Sequence, residues 1–327
     1  MTSPTASPDS PKPGLHPRNR HREGYDFAAL TAAVPGLARF VVTTPAGTPS
    51  IDFSNPAAVK TLNRALLEVD YGVRDWDIPG QYLCPAIPGR ADLLHHLADL
   101  LAEENGGAIH RGEGVRALDI GVGANGVYPL VGHAEYGWRF VGVDTDPLAL
   151  ANLRRIVAAN PGLGRAIELR HQPVADNIFI GVLRTGDKFD LSLCNPPFHA
   201  SPAEAAAAAQ RKWKNLGKAA KGGTGPRLNF GGKSNELWYP GGERPFLERM
   251  IEQSAGIPKR CLWFTTLVSK AENLPHLEAA LAKLRPTATR VIPMAQGQKQ
   301  SRLLAWTFTP KAERVRWMKA RWRPQPG

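Results

Sequence analysis

Only three cysteines occur in the 327 residues, Cys84, Cys194 and Cys261. They lie far apart and form no Cys-x-x-Cys pair. That excludes a disulfide framework and suits a reducing, cytoplasmic compartment. No His-Glu-x-x-His or comparable ligand spacing is present, so no metal is expected. Long apolar runs are missing as well, and a membrane-spanning helix needs about 20 such residues. The start of the chain is rich in Pro, Ser and Arg and has no apolar core, unlike a secretory signal. Acidic residues are in deficit, 29 against 41 Lys and Arg, for a net charge of +12.

That excess is confined to three segments. Residues 1–22 carry +3, residues 200–233 carry +6 and residues 311–327 carry +5, while the remaining chain is near neutral. Clusters of this kind suit contact with nucleic-acid phosphates, and their plainer reading is solvated tails. Four parts are expected: a disordered basic tail over 1–22, a mainly helical module over 23–90, a larger domain over 91–310 with a substrate loop at 200–243, and a basic extension over 311–327. In the module, Asn55-Pro56 predicts a helix start with an Asn cap and Pro in the first turn. The Pro-rich stretch up to Arg90 reads as loop, with a helix over 92–104 and Asp92 as its cap.

From residue 115 a regular alternation sets in. Strands are predicted over 115–121, 139–144, 166–171, 189–194, 260–268, 289–293 and 302–308. Helical patterns fall between most of them, over 126–134, 147–159, 201–216, 244–254 and 275–284. Such alternation implies an α/β fold with a largely parallel sheet. The link between the last two strands is too short for a crossover helix, so the seventh strand should run antiparallel to its neighbour. A seven-stranded, mostly parallel sheet whose last strand is antiparallel is the architecture of Rossmann-like methyltransferases.

Gly121-Val122-Gly123-Ala124-Asn125-Gly126 joins the first of these strands to a helix. Glycines there let the backbone approach a ligand, and Asp144, ending the next strand, is at the distance that binds ribose hydroxyls. A dinucleotide dehydrogenase would show the same pattern. Asp119 just before the glycines, and the turn after the fourth strand, favour S-adenosylmethionine. Asp119 is expected to support the loop, Asp144 to take the ribose, and Gln172 to lie near the adenine ring.

That turn is Asn195-Pro196-Pro197-Phe198. Two prolines cannot continue a sheet interior, so the strand must end there. Its chemistry suits methyl transfer to an exocyclic amine, whose lone pair is delocalised into an aromatic ring. The Asn195 side-chain oxygen can accept one N–H and a carbonyl of the Pro196-Pro197 turn the other, which orients the lone pair. Phe198 can stack on the base. The plain alternative is a rigid turn closing a strand. In the insertion that follows, Lys212 and Lys214 can meet phosphates, and Phe230 and Trp238 can stack on bases or pack the loop onto the domain. Trp317 and Trp322 in the basic extension read as core-packing residues of an amphipathic helix, ahead of base stacking.

Five stretches carry a resemblance to a known family. They are Leu118-Asp119-Ile120-Gly121-Val122-Gly123-Ala124-Asn125, Cys194-Asn195-Pro196-Pro197-Phe198-His199, Leu228-Asn229-Phe230-Gly231-Gly232, Leu237-Trp238 with Gly241-Gly242-Glu243, and Met294 through Arg302. From about Arg18 to Phe308 the chain resembles the bacterial methyltransferases that modify adenine N6 in 23S ribosomal RNA (the RlmF type). A eukaryotic N6-adenine RNA methyltransferase family shares that core. The resemblance implies S-adenosylmethionine held by Gly121, Gly123, Asn125 and Asp144, with Arg90 meeting the cofactor's carboxylate. It implies 23S rRNA or a large-subunit assembly intermediate as partner. Gly126 stands where the family has a larger residue, and Asp144 where it often has glutamate. Two rivals remain at this point. A protein-glutamine methyltransferase also uses an Asn-Pro-Pro turn, and an RNA-binding assembly factor would hold the cofactor without turnover.

Overall fold

A computed structural model describes residues 14–205, 207, 234–296 and 299–322. Its N-terminal part holds helix α1 (Phe27–Ala33), the hairpin β1 (Val41–Thr43) and β2 (Pro49–Ile51), and helices α2 (Pro56–Tyr71) and α3 (Ile87–Ala102). The start of α2 follows from its sequence. Asn55 accepts the Ala57 and Ala58 N–H groups, and Pro56 occupies a first-turn position where no donor is needed. Helix α3 corrects the expectation. It begins at Ile87, with Pro88 in its first turn, so Arg90 is helical rather than in a loop. Asp92 is not its cap but a buried interior residue that accepts from the His16 N–H at 2.5 Å and Asn19 Nδ2 at 3.2 Å.

The main sheet comprises β3 (Arg116–Ile120), β4 (Arg139–Asp144), β5 (Ile167–His171), β6 (Phe189–Cys194), β7 (Cys261–Val268), β8 (Ala288–Gln296) and β9 (Lys299–Thr307). Their spatial order is β5-β4-β3-β6-β7-β9-β8. Neighbouring pairs run parallel except those made by β9, which is antiparallel to both β7 and β8. The last strand is therefore antiparallel as expected, but it lies inside the sheet and β8 takes the edge. Helices α4 (Val127–Tyr136), α5 (Pro147–Ala158), α6 (Glu243–Ala255) and α7 (Leu274–Leu284) cover the two faces. Alternation along the strands divides the core in two. Ala117, Leu191, Leu193, Leu303 and Ala305 pack with α2 to α5, while Leu118, Ile120, Cys194, Leu304 and Trp306 pack with α6 and α7.

Both expected tails are docked where they are described. Within 14–22, His16, Asn19 and His21 are buried. Arg18 bonds Asp99 at 2.8 Å, Arg20 bonds Glu135 at 2.6 Å, and Asn19 donates to the Pro88 carbonyl at 2.9 Å. Polar side chains thus anchor a segment whose composition reads as disordered. At the other end, helix α8 (Lys311–Arg321) lays its tryptophans on the sheet. Trp317 and Trp322 donate their indole N–H groups to one buried carboxylate, Asp190, at 2.8 and 3.1 Å. Arg314 is buried against Glu104, so part of the basic charge here is neutralised inside the fold.

Candidate cofactor and catalytic site

Strand order reverses between β3 and β6, and ligands of open α/β sheets bind at the carboxyl ends of strands beside such a reversal. The two chemistry-bearing turns of the sequence both emerge there. After β3, the Gly121 and Val122 N–H groups bond the Val143 carbonyl at 2.9 and 3.0 Å. Gly123 donates its N–H to Asp144 Oδ2 at 2.8 Å. Asn125 Oδ1 accepts from the Val127 N–H, and its carbonyl accepts from Trp76 Nε1 at 2.9 Å. Gly123 has φ +66°, and a Cβ there would lie 3.1 Å from Glu236 Oε1. At Gly126 (φ +57°) a Cβ would meet Leu153 Cδ1 at 2.2 Å. A leucine of α5 thus fills the space beside Gly126.

Below this loop opens a cavity of about 580 Å³, within the range of small-molecule sites. Arg90, Gly121, Gly123, Asn125, Asp144, Gln172 and Asn195 all stand on its wall. Arg90 donates to the Tyr128 hydroxyl at 2.7 Å and lies over that ring, which fixes its direction. Gln172 lines the cavity, but its amide holds the loop after β5, donating to the Ile180 carbonyl at 2.8 Å and accepting the Val174 N–H.

The two aspartates divide their work differently from expectation. Asp144, level with the glycine turn, supports the loop through Gly123 and also accepts the Asp146 N–H at 2.9 Å. Asp119 lies inside β3 and makes no bond to the loop. Both its oxygens are buried without a hydrogen-bond partner among the described residues. Burial and the nearby Asp144 charge push its pKa up to about 8, against the opposing pull of Arg90. At neutral pH it is thus largely the uncharged acid.

After β6, Asn195 is half-buried and lines both this cavity and an adjoining recess of about 100 Å³. Pro196 is buried, Pro197 faces the cavity, and Phe198 faces the recess with Met294 and Ser301. The turn is tied down just beyond Phe198, where the His199 N–H bonds the Leu237 carbonyl and its carbonyl accepts the Tyr239 N–H, both at 3.0 Å. That pairing puts Trp238 in the wall of the larger cavity, where its indole N–H is buried without a partner among the described residues. Lys212, Lys214 and Phe230 lie outside the described residues, as does most of the helix predicted over 201–216.

Sequence reasoning assigned no role to several residues of the wall. Leu83, Tyr128, Asp176, Glu236 and Tyr239 all line it. Glu236 and Tyr239 carried a signal, since they flank the Leu237-Trp238 stretch of the resemblance. Tyr128 comes with the helix after the glycine loop, while Leu83 and Asp176 reach the site through contacts between segments far apart in sequence, such as Tyr239 to Asp176 at 2.8 Å.

A glycine loop and an Asn-Pro-Pro-Phe turn facing one cavity, on a sheet of this order, define a Rossmann-like methyltransferase. Residues 9–310 match the RNA methyltransferase family, and the chain belongs to that family. It is 62% identical over 314 residues to the ribosomal RNA large subunit methyltransferase F of Dechloromonas aromatica, covering 95% of this chain and 92% of the relative. The protein of the same name from Ectopseudomonas mendocina is 57% identical over 322 residues, covering 98% and 97%. Among solved structures, the hMettl16 catalytic domain in complex with MAT2A 3'UTR hairpin 1 superposes with a TM-score of 0.75 at 28% identity, over 90% of this chain and 96% of that one. The N-terminal domain of human METTL16 in complex with SAH gives 0.69 at 25% identity, over 90% and 99%. Among the described residues no cluster of His, Cys, Asp or Glu is arranged to hold a metal, and no helix is long and apolar enough to cross a membrane.

Proposed function

We propose that the protein transfers a methyl group from S-adenosylmethionine to the N6 amine of an adenine in 23S ribosomal RNA. The observation that carries this reading is the position of Asn195, shared between a cofactor-sized cavity and the recess beside Phe198. The donor set fits the cofactor. Arg90 is a fixed cation for its carboxylate, Asp144 on the cavity wall is an acceptor for its ribose hydroxyls, and the bare Gly121 and Gly123 backbone admits close approach. When bound, the cofactor supplies an electrophilic methyl on a sulfonium.

The chain's residues do the remaining work by positioning. The recess receives the base against Phe198. Asn195 Oδ1 and a carbonyl of the proline turn accept the two amine hydrogens, which turns the nitrogen lone pair toward the cavity. No strong base is needed before attack, because the amine becomes acidic only once methylated, and its proton then leaves to water. A base inside folded RNA must leave its stack to reach the recess. Lys212 and Lys214 meet phosphates in this reading, and Phe230 stacks on a neighbouring base. The names of the curated relatives support the large-subunit RNA substrate, and an enzyme acting on it works in the cytoplasm.

Mass mapping of N6-methyladenosine in rRNA from cells with and without the protein tests the assignment. One adenine of 23S rRNA should lose its methyl group in the deletion strain and regain it on complementation. An unchanged methylation map would contradict the reading.

A further inference from the structure

Two stretches of the family resemblance, Gly241-Gly242-Glu243 and Met294 through Arg302, neither hold the cofactor nor orient the amine in the reading above. They meet at the recess beside Phe198. Glu243 opens α6 and is buried. Its Oε1 accepts the Ser269 N–H at 2.7 Å. Its Oε2 accepts the Lys270 N–H at 3.1 Å and Asn273 Nδ2 at 2.7 Å. The chain leaving β7 is thereby fixed at Ser269. Ser301 is fixed by the sheet, in β9 opposite Met294 of β8. Leu267 of β7 pairs with Leu303 of β9. Ser269 follows the first by two residues, Ser301 precedes the second by two, and both serines line the recess.

Among the described residues five polar side chains line that recess. Three are already engaged. Arg90 donates to the Tyr128 hydroxyl, and Asp92 accepts from the His16 N–H and Asn19 Nδ2. Asn195 takes the amine. Ser269 and Ser301 remain, both partly exposed, and neither hydroxyl has a hydrogen-bond partner among the described residues. The amine of adenine is flanked by two ring acceptors, N1 and N7. Enclosing either one without a donor forfeits the bond it made to water. A serine hydroxyl supplies such a donor and rotates to suit it.

Resting on the reading of this recess as the base site, we propose that Ser269 and Ser301 are substrate-binding residues whose hydroxyls donate to a ring nitrogen beside the adenine amine. The amine and the ring edge are then held by separate parts of the chain, the first by the turn after β6 and the second by the residue after β7 and the start of β9. Glu243 is the positioning residue that keeps Ser269 at the recess.

A substitution cycle on the full chain separates this from a merely structural role. The substrates are fragments of 23S rRNA in which the adenine located by mass mapping is kept, or replaced by 1-deazaadenosine or 7-deazaadenosine, which remove N1 and N7 in turn. The proteins are the parent and the double variant Ser269→Ala with Ser301→Ala. One analogue should lower kcat/KM about fivefold more in the parent than in the variant, the scale of one neutral hydrogen bond. The penalty is a ratio read within each protein, so a loosening of the fold by the alanines cancels, as does the altered nucleophilicity of the analogue's amine. The analogue that shows the difference names the edge that is read. Equal penalties in parent and variant for both analogues would overturn the role of the serines while leaving the base site intact. A parent protein that leaves the unmodified fragment unmethylated would overturn the base-site reading and this inference with it.

Discussion

Two buried aspartates on adjacent strands show how differently the sheet's two edges are finished. Asp190 stands near the start of β6, at the amino edge. Five donors converge on it: the Arg116 N–H, the Trp317 and Trp322 indoles, and two nitrogens of Arg321. Asp119 stands near the end of β3, at the carboxyl edge, with no donor on either oxygen among the described residues. A buried carboxylate without partners is costly, so the chain either surrounds it or keeps it protonated. At the amino edge the C-terminal helix does the first, and that edge is closed by protein. At the carboxyl edge the protein does the second, and that edge is left open toward the cavity. Stability is thus concentrated at one edge and chemistry at the other.

Asp190→Ala should produce the largest change. Removing the acceptor strands two indole donors and Arg321, at a cost of about 3–5 kcal/mol. Thermal unfolding should shift down by about 10 °C. A melting temperature within about 2 °C of the parent would mean that α8 is not a structural closure. Deleting 311–327 belongs to the same test. It should destabilise the fold in the same way, where an external RNA-binding tail would only flatten the salt dependence of RNA affinity.

At the open edge, Asp144→Ala should weaken S-adenosylmethionine binding roughly ten- to hundredfold, since one charge-assisted hydrogen bond contributes about 1.5–3 kcal/mol. Stability should change less than in Asp190→Ala, and equal destabilisation of both variants would erase the contrast between the edges.

Asp119→Asn sharpens it through pH. A carboxyl whose folded pKa is raised to about 8 holds its proton in the native state while the unfolded chain releases it near pH 4. Its contribution therefore favours the fold at low pH and is lost as pH rises from about 4 to about 8. Chemical denaturation of parent and variant over that window should show the variant gaining on the parent as pH rises. Parallel curves would mean that Asp119 is ionised throughout.

The smallest effect is expected for Lys212→Ala with Lys214→Ala. The slope of log affinity against log salt for RNA should become shallower by about 0.7–0.9 for each phosphate that the variant no longer neutralises. An unchanged slope would take these lysines off the RNA path.

Much of this architecture was legible in the chain. Period-2 apolar runs and capped helices set the order of elements, and the link after β8 fixed the direction of β9. Two glycines and an Asn-Pro-Pro turn located the carboxyl edge. What was not legible depended on long-range polar contacts. Residues 14–22 look disordered by composition, yet Asp92, Asp99 and Glu135, all more than 70 residues away, hold them down. Pro88-Gly89 reads as a break, although a proline is well suited to a helix's first turn. Asp144 rather than Asp119 supports the glycine loop, because reach across the strand ends, which spacing does not encode, decides which carboxylate meets Gly123. Trp238 stands in the cavity wall for the same kind of reason, through its pairing with His199.

If the open edge is a catalytic centre built around Asn195, single-turnover methylation of a 23S rRNA fragment will show it most directly, with RNA and S-adenosylmethionine both saturating. Asn195→Ala should lower the rate by about 10² or more, the size seen when one preorganised hydrogen-bonding group is removed from a reacting centre. RNA affinity should hardly move, because phosphate contacts dominate it. An Asn195→Ala protein that methylates at the parent rate under these conditions would contradict the assignment of this turn as the catalytic centre.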